Sequence, residues 1–221
     1  MNKLFNYFDK IFLINLNSRK DRLDESMKIL NAYNLGEKLI RFSAITPPPN
    51  IKDTFDEKGR KISRGAVGLI LSMLEIFKES KKNNYNSILV LEDDFLLKNE
   101  EYAGDVIEQL KNVEWDVFYL GANLHQKLDN VSNNLYKIKY GYATHAVAYN
   151  KNFYDYFLTS YNSGDIKILD VWLSEFAQNN LNCFCSWPIL SIQRPSYSDI
   201  ENKFTDYNWM INNYNKNTKD I

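Results

Sequence analysis

The sequence has almost no excess of charge of either sign. Its 221 residues carry 27 basic and 28 acidic side chains, a net charge of −1. A nucleic-acid binder usually shows a basic surplus, so no nucleic-acid partner is expected. Cysteine is scarce as well. Cys183 and Cys185 are too few for a disulfide framework or a four-cysteine zinc site. They alternate with Phe184 and read as small core residues. His125 and His145 are the two imidazoles, and neither has a cysteine or histidine at metal-ligand spacing. His145, in an apolar strand, reads as a core residue. Long apolar runs are missing too. No stretch approaches the roughly 18 apolar residues of a membrane span. The run Ile11 to Ile14 is too short for a signal-peptide core and stops at Asn15. A soluble, cytoplasmic protein without a transmembrane segment is the expectation. Peripheral attachment to the inner face of a membrane remains compatible with it.

What is present is the composition of a globular chain. Apolar residues make up 44%, charged residues 25% and aromatics 14%, which argues against disorder. With about 150 residues per domain as a guide, and no linker or repeat in sight, one domain over residues 1–221 is expected. Residues 202–221 form a polar tail whose Phe204, Tyr207, Trp209 and Met210 should partly pack back.

Hydrophobic periodicity places the elements. Lys10 to Leu16 and Ser87 to Leu91 are continuous apolar runs of strand length, as in strands buried on both faces. Leu23, Met27 and Leu30 recur at helical spacing, with Gly36 where the helix would stop. Leu39 to Ala44 reads as a strand. Thr46-Pro-Pro-Pro-Asn50 opens a charged stretch to Lys61, expected to be a mobile loop at the mouth of the site. Ser63 should cap a helix carrying Val67, Ile70, Leu71, Leu74 and Phe77. Tyr102 to Lys111 reads as a helix, Asp116 to Leu120 as a strand and Gly121 to Asn134 as a loop. Strands follow at Leu135 to Lys139, Ala143 to Tyr149 and Leu181 to Ser186, with helices at Asn152 to Tyr161 and Leu169 to Gln178. The alternation predicts an α/β sandwich with a mostly parallel central sheet whose second half carries antiparallel strands. In such sheets ligands sit outside the carboxyl ends of the strands. Three polar clusters fall there: Asn17 to Arg22, Glu92 to Asp94 and Gly121 to Asn123.

The acidic triplet is the sharpest of the three. Three carboxylates ending an apolar strand are costly unless neutralised. A divalent metal would neutralise them, because Mn²⁺ and Mg²⁺ favour carboxylate oxygen and often use few protein ligands plus substrate phosphates. On an extended backbone Glu92 and Asp94 would share one side. The plain alternative is that the acids cap a turn or pair with arginine or lysine.

Here the sequence resembles a known family. ILVLEDDFLL looks like the metal-site segment of the family 25 glycosyltransferases, which include bacterial lipooligosaccharide glycosyltransferases and collagen-modifying galactosyltransferases. IFLINLNSRKDR resembles the family's opening strand and loop, SRGAVGLILSMLEIF its second helix, and GYATHAVAYNK its mid-chain glycine–tyrosine segment. ILDVWLSEF resembles a later helix and WPILSIQRPSYSDI the closing element. The resemblance spans residues 11–200 in the family's order. Met73 stands where the family usually has histidine, which removes any role tied to that histidine and bears on sugar or acceptor preference.

The resemblance implies a GT-A-type nucleotide-sugar-binding sandwich, a UDP-sugar donor and inversion at the anomeric carbon. A Mn²⁺ or Mg²⁺ ion would be held by Asp94 and completed by Asp199. Asn15, Leu16, Arg19, Arg22, Glu92, Asp93, Gln193 and Ser198 would bind the nucleotide sugar, with Leu16 at the base and Arg22 at the diphosphate. The chemistry agrees, since a departing diphosphate gains negative charge that a metal and arginine stabilise. Inversion also requires a base for the acceptor hydroxyl. Asp170, opening an apolar-backed helix, is the candidate and Asp165 its competitor. Trp172 and Tyr197 are candidates for stacking on a sugar, whereas Trp187 and Trp209 read as core.

The resulting expectation is a metal-dependent inverting transferase. It would move a hexose, galactose first, from UDP to a hydroxyl of a glycan, lipooligosaccharide or glycoprotein. A nucleotidyltransferase is the rival enzyme, although Asn15 to Arg22 lacks the glycines of a usual phosphate loop. A degenerate glycan-binding homologue is the non-enzymatic rival, with Met73 in its favour and the intact acidic triplet against it.

Overall fold

A computed structural model describes residues 1–198, 203–206 and 209–218. The chain opens with a short helix α1 (Asn2–Tyr7), strand β1 (Lys10–Asn15), helix α2 (Lys20–Leu30) and strand β2 (Leu39–Ser43). A small hairpin, β3 (Thr54–Phe55) and β4 (Lys61–Ile62), leads into the long helix α3 (Arg64–Lys82). The Ser63 hydroxyl caps α3 by accepting from the Ala66 N–H, as its sequence position predicts. Next come β5 (Ser87–Glu92), β6 (Phe95–Leu97), α4 (Ala103–Leu110) and β7 (Val117–Tyr119). The stretch expected to be a loop holds two short strands, β8 (Asn123–Leu124) and β9 (Asp129–Ser132). Then follow β10 (Leu135–Lys137), β11 (Gly141–Tyr142), β12 (Ala146–Asn150) and α5 (Lys151–Asn162). The helix expected over 169–178 is α6 (Leu169–Trp172), one π-helical turn (Leu173–Ala177) and α7 (Gln178–Asn180). The chain closes with β13 (Cys183–Ser186), β14 (Ser191–Gln193), β15 (Ser196–Ser198), β16 (Lys203–Thr205) and α8 (Trp209–Thr218).

Among the described residues, eight strands form the central sheet in the order β2-β1-β5-β12-β7-β13-β10-β9. β2, β1 and β5 are parallel, as are β7 and β13, while β12 runs antiparallel between β5 and β7. Strand periodicity divides the apolar residues into two layers. Phe12, Ile14, Ile88, Val90, Val147 and Tyr149 meet Ile70, Leu74 and Phe77 of α3 and Phe153 and Phe157 of α5. Ile11, Leu13, Leu89, Leu91 and Phe118 meet Phe5 of α1, Leu30 of α2 and Val106 and Leu110 of α4. Helices on both faces of a mainly one-directional sheet give the α/β sandwich that the sequence predicts.

Reversal of β12 shapes the site. Its first residue, Ala146, pairs with Leu91 near the carboxyl end of β5. The segment entering β12 therefore lies at the same sheet edge as the exits of β1, β5 and β7. Gly121 lets the β7 exit stay close, because a Cβ there would stand 1.9 Å from the Ser191 carbonyl oxygen. Trp172, expected to be free for a sugar, is instead 3% exposed and packs edge-on to Phe157 at 5.8 Å. An indole on an amphipathic helix gains more from the core than from solvent. Cys183, Cys185 and His145 are all buried, as expected.

Candidate active site

β5 ends in a turn that turns its three carboxylates toward different partners. Alternation does not continue past Glu92, since residues 93–94 form the turn before β6, so the shared side expected for Glu92 and Asp94 is not set by pleating. Asp93 accepts from Arg22 Nη1 at 2.6 Å and from Asn15 Nδ2 at 2.7 Å. Asp94 Oδ2 takes a longer contact from Arg22 Nη2, 3.3 Å, and its Oδ1 is buried with no hydrogen-bond partner. Glu92 accepts from the Thr144 hydroxyl at 2.6 Å. Burial, and then the Asp94 charge, push the Glu92 carboxyl up to about 8. Burial also raises Asp93 and Asp94, with Arg22 pulling each back down.

Arg22 reaches this turn because α2 is rotated away from its apolar stripe. Its buried positions are Arg22, Ser26 and Leu30, while Leu23 and Met27 are half-buried. Ser26 Oγ donates to the Asp93 carbonyl at 3.0 Å. The closing segment holds the turn from the other side. β14 pairs with β6, the Arg194 N–H donates to the Asp94 carbonyl at 2.6 Å, and Arg194 Nη2 donates to the Asp93 carbonyl at 3.0 Å. Arg22 Nη2 also donates to Ser196 Oγ at 2.6 Å. Arg22 is thus the internal counter-ion of the acids, the plain pairing weighed from sequence. Asn15 is 1% exposed and fully engaged, since its Nδ2 also donates to the Arg19 carbonyl and its Oδ1 accepts from Arg41. Arg19 pairs with Asp21 at 2.9 Å.

Asp170 sits in the first turn of α6. Burial raises its carboxyl above the usual carboxylate value, and the neighbouring Val171 and Ala143 N–H groups draw it part of the way back. Ala143 and Thr144 lie on the segment entering β12, and Ala143 adopts φ +77°. Gln178, 1% exposed, anchors that segment. Its Oε1 accepts from the Gly141 N–H at 2.9 Å, and its Nε2 donates to the Gly141 carbonyl at 2.7 Å and to the Tyr119 hydroxyl at 3.1 Å. The π-turn just before Gln178 supplies the extra residue that alters the helix register there. Sequence reasoning singled out none of Gln178, Thr144 and Arg194, although Thr144 lies within GYATHAVAYNK and Arg194 within WPILSIQRPSYSDI.

Arg22, the acidic turn, Thr144 and Asp170 line one cleft of about 630 Å³. Asn15, Leu16, Arg22, Glu92, Asp93, Asp94, Asp170 and Gln193 of the expected set all face it, as do Thr46, Pro47 and Asp53 of the Pro-rich loop. Asp165 is not among its lining residues and instead accepts from the Ser163 hydroxyl at 2.5 Å. Tyr197 is 48% exposed but lies outside the lining, and its carbonyl accepts from Arg22. Trp209, expected in the core, is 44% exposed and lines the cleft. Met73 is 2% exposed in the core and does not line the cleft, so its replacement of histidine acts on packing. Ser198 lies in β15, Asp199 falls outside the described residues, and no group of three or more metal-ligating side chains is found among the described residues.

Comparison with known proteins gives one consistent family. The profile described as glycosyltransferase family 25 (LPS biosynthesis protein) matches residues 8–164. Procollagen galactosyltransferase 1-B of Xenopus laevis is 31% identical over 138 residues, 54% of this chain and 22% of the relative. Procollagen galactosyltransferase 2 of Homo sapiens is 26% identical over 161 residues, 62% of this chain and 25% of the relative. Inactive glycosyltransferase 25 family member 3 of Homo sapiens is 27% identical over 132 residues, 52% of this chain and 22% of the relative. The matches thus span a quarter or less of these relatives' length. Among solved structures, a glycosyltransferase involved in glycosylation of the major capsid of PBCV-1 overlaps at a TM-score of 0.41, with 10% identity over 76% of this chain and 75% of that one. An overlap that loose carries no functional weight.

Proposed function

Because the chain belongs to glycosyltransferase family 25, we propose that its cleft transfers a hexose, galactose first, from a UDP-sugar to a hydroxyl of a glycan, lipooligosaccharide or glycoprotein. One observation carries the reading. The cleft holds a buried, unpartnered carboxylate oxygen on Asp94 together with a second, separate carboxylate on Asp170. An inverting transfer needs two such acids in different roles, one beside the leaving diphosphate and one beside the incoming hydroxyl.

The donor set fits a divalent cation. Asp94 Oδ1 is buried and makes no hydrogen bond of ordinary geometry, although the Gln193 side chain lies near the carboxylate, and Mg²⁺-type ions commonly take one or two carboxylates plus substrate phosphates. Asp94 would hold the ion, with Asp199 as a further candidate. Once bound, Mn²⁺ or Mg²⁺ would offset the charge that grows on the departing diphosphate. Protein groups do the rest. Leu16 lies where the nucleotide would enter, past the carboxyl end of β1. Arg22 fixes Asp93 and offsets part of the burial that raises its carboxyl. Asp170, beside the Val171 and Ala143 N–H groups, takes the proton from the acceptor oxygen. Its raised pKa brings it closer to that of a working base near neutral pH.

Family membership weighs against a nucleotidyltransferase. The non-catalytic reading has one relative named as inactive in its favour. Against it stand the intact acidic turn and the location of Met73 away from the cleft. Incubation with radiolabelled UDP-hexoses tests the proposal. One donor should release UDP slowly without acceptor. No turnover of any donor, together with retained glycan binding, would establish the non-catalytic reading instead.

A further inference from the structure

The exits of the sheet set out the cleft as a line. β1, β5, β12 and β7 are neighbours in that order. At about 4.8 Å per strand, the β7 exit lies about 14 Å from the β1 exit. Leu16 stands at the first exit, the acidic turn at the second, the Gly141–Thr144 segment at the entry to β12, and Asn123 just past the fourth.

The β7 end has a chemistry of its own. Trp209 of α8, Tyr142 of β11 and Asn123 of β8 all line the cleft there. The Tyr142 ring is held edge-on by His125, with centroids 5.1 Å apart and planes at 79°. Asn123 contacts His125 Nε2 at 3.0 Å and accepts from Asn213 Nδ2 of α8 at 3.4 Å. An amide has four hydrogen-bonding positions, so Asn123 retains capacity toward the cleft. Trp209 keeps 44% of its surface open although it is the largest apolar side chain available. Two aromatic rings beside one anchored amide make a surface for a ligand with an apolar face and a polar rim. A pyranose ring has that form, its axial C–H groups on one face and its hydroxyls around the edge.

We infer that Trp209, Tyr142 and Asn123 form the subsite for a hexopyranose ring of the acceptor. This rests on the transferase reading above. The acceptor is preferred over the donor sugar because of Asp170. It lines the cleft together with Tyr142, Ala143 and Thr144, and the Ala143 N–H, next to Tyr142, is near enough to its carboxylate to act on it. The base must touch the acceptor hydroxyl, so the ring bearing that hydroxyl lies against the neighbours of Ala143.

Saturation-transfer NMR tests this with methyl β-galactopyranoside and methyl β-glucopyranoside, UDP and Mg²⁺ being present throughout. At least one glycoside should receive saturation at its ring C–H protons. Trp209→Ala should weaken its binding about ten-fold and Trp209→Phe much less, since a ring is retained. Phe204 is 69% exposed and does not line the cleft, so Phe204→Ala should leave glycoside binding as it was. Equal binding by Trp209→Ala and the native chain, or no binding of either glycoside to the native chain, would overturn the subsite. UDP affinity measured in parallel separates the two claims. If UDP does not bind, the transferase reading falls; if it binds and Trp209 makes no difference, only the subsite falls.

Discussion

At the β1–β5 end of the cleft nearly every polar group already has a protein partner, whereas at the β7 end aromatic surface stands open. Asn15, Arg22, Asp93, Ser26 and Arg194 form a closed network built from three distant parts of the chain. Trp209 and Tyr142 line the cleft and leave part of their aromatic surface uncovered. A fixed, low-dielectric end suits a ligand part that never changes, such as a nucleoside diphosphate, because its binding groups are pre-organised. An open aromatic end suits a partner that varies between relatives. Asp170 stands between the two, tied by Ala143 to the open end and by burial to the closed one.

Asp170→Asn should have the largest effect on this division. Loss of a general base costs about 10²- to 10⁴-fold in rate, while UDP affinity should change little. Asp165→Asn should leave turnover near normal, and steady-state rates of the two variants decide which acid works. Near-normal turnover in Asp170→Asn would show that the junction has been put in the wrong place.

Arg22→Met should act on stability. It leaves Asp93 buried without its cation, and breaking one side of a buried pair costs about 3–5 kcal/mol. Trp209→Ala, at the open end, should cost less than about 0.5 kcal/mol. Urea unfolding of both variants compares the two ends directly. Similar losses would erase the contrast.

His145 gives a pH signature within the closed end. Its ring is fully buried, makes no hydrogen bond of ordinary geometry, and lies beside the Ser191 backbone. Burial lowers its pKa from 6.5 to about 4. The unfolded chain takes up that proton below 6.5 and the folded chain does not. Stability is therefore fully present above 6.5 and is lost as pH falls toward 4, by up to about 3 kcal/mol. Unfolding of the native chain and His145→Gln at pH 7 and pH 5 isolates this contribution, because the carboxylates common to both cancel. The native chain should lose more stability than the variant over that interval.

The smallest effect is expected at the Pro-rich loop. Lys58 and Arg60 pair with Glu175 of the π-turn at 2.8 and 2.6 Å, tying the β3–β4 hairpin to the segment that carries Asp170. These pairs are partly exposed, so Glu175→Ala should cost no more than about 1 kcal/mol. Hydrogen exchange over 54–62 should quicken while Ile88 to Leu91 stays protected. Unchanged exchange in the hairpin would show that the clasp does not hold it.

Most of the fold was legible because apolar runs such as Ile88 to Leu91 have one stable use, a strand buried on both faces. The place of the acidic turn in the cleft was legible too, since charge at the end of such a strand demands a reason, and the family resemblance singled out Asp170, which lines the same cleft. What escaped was polar burial. Periodicity turned α2 by Leu23 and Met27, but the acids require Arg22 and Ser26 inside, and a buried ion pair has no hydropathy signature. Gln178 escaped for the same reason. Trp172 and Trp209 were placed the wrong way round, because a tryptophan's exposure depends on which helix face the tertiary packing covers. Residues 121–134 read as loop because β8 and β9 are too short to show a period.

The central claim is that the closed end binds a nucleoside diphosphate through a cation held by Asp94. Titration calorimetry of UDP, with and without Mn²⁺, tests it most directly in the native chain and in Asp94→Ala. The native chain should bind UDP much more tightly with Mn²⁺ than without, and Asp94→Ala should lose that difference while its circular dichroism spectrum stays native. An unchanged Mn²⁺-dependent UDP affinity in Asp94→Ala would contradict the account.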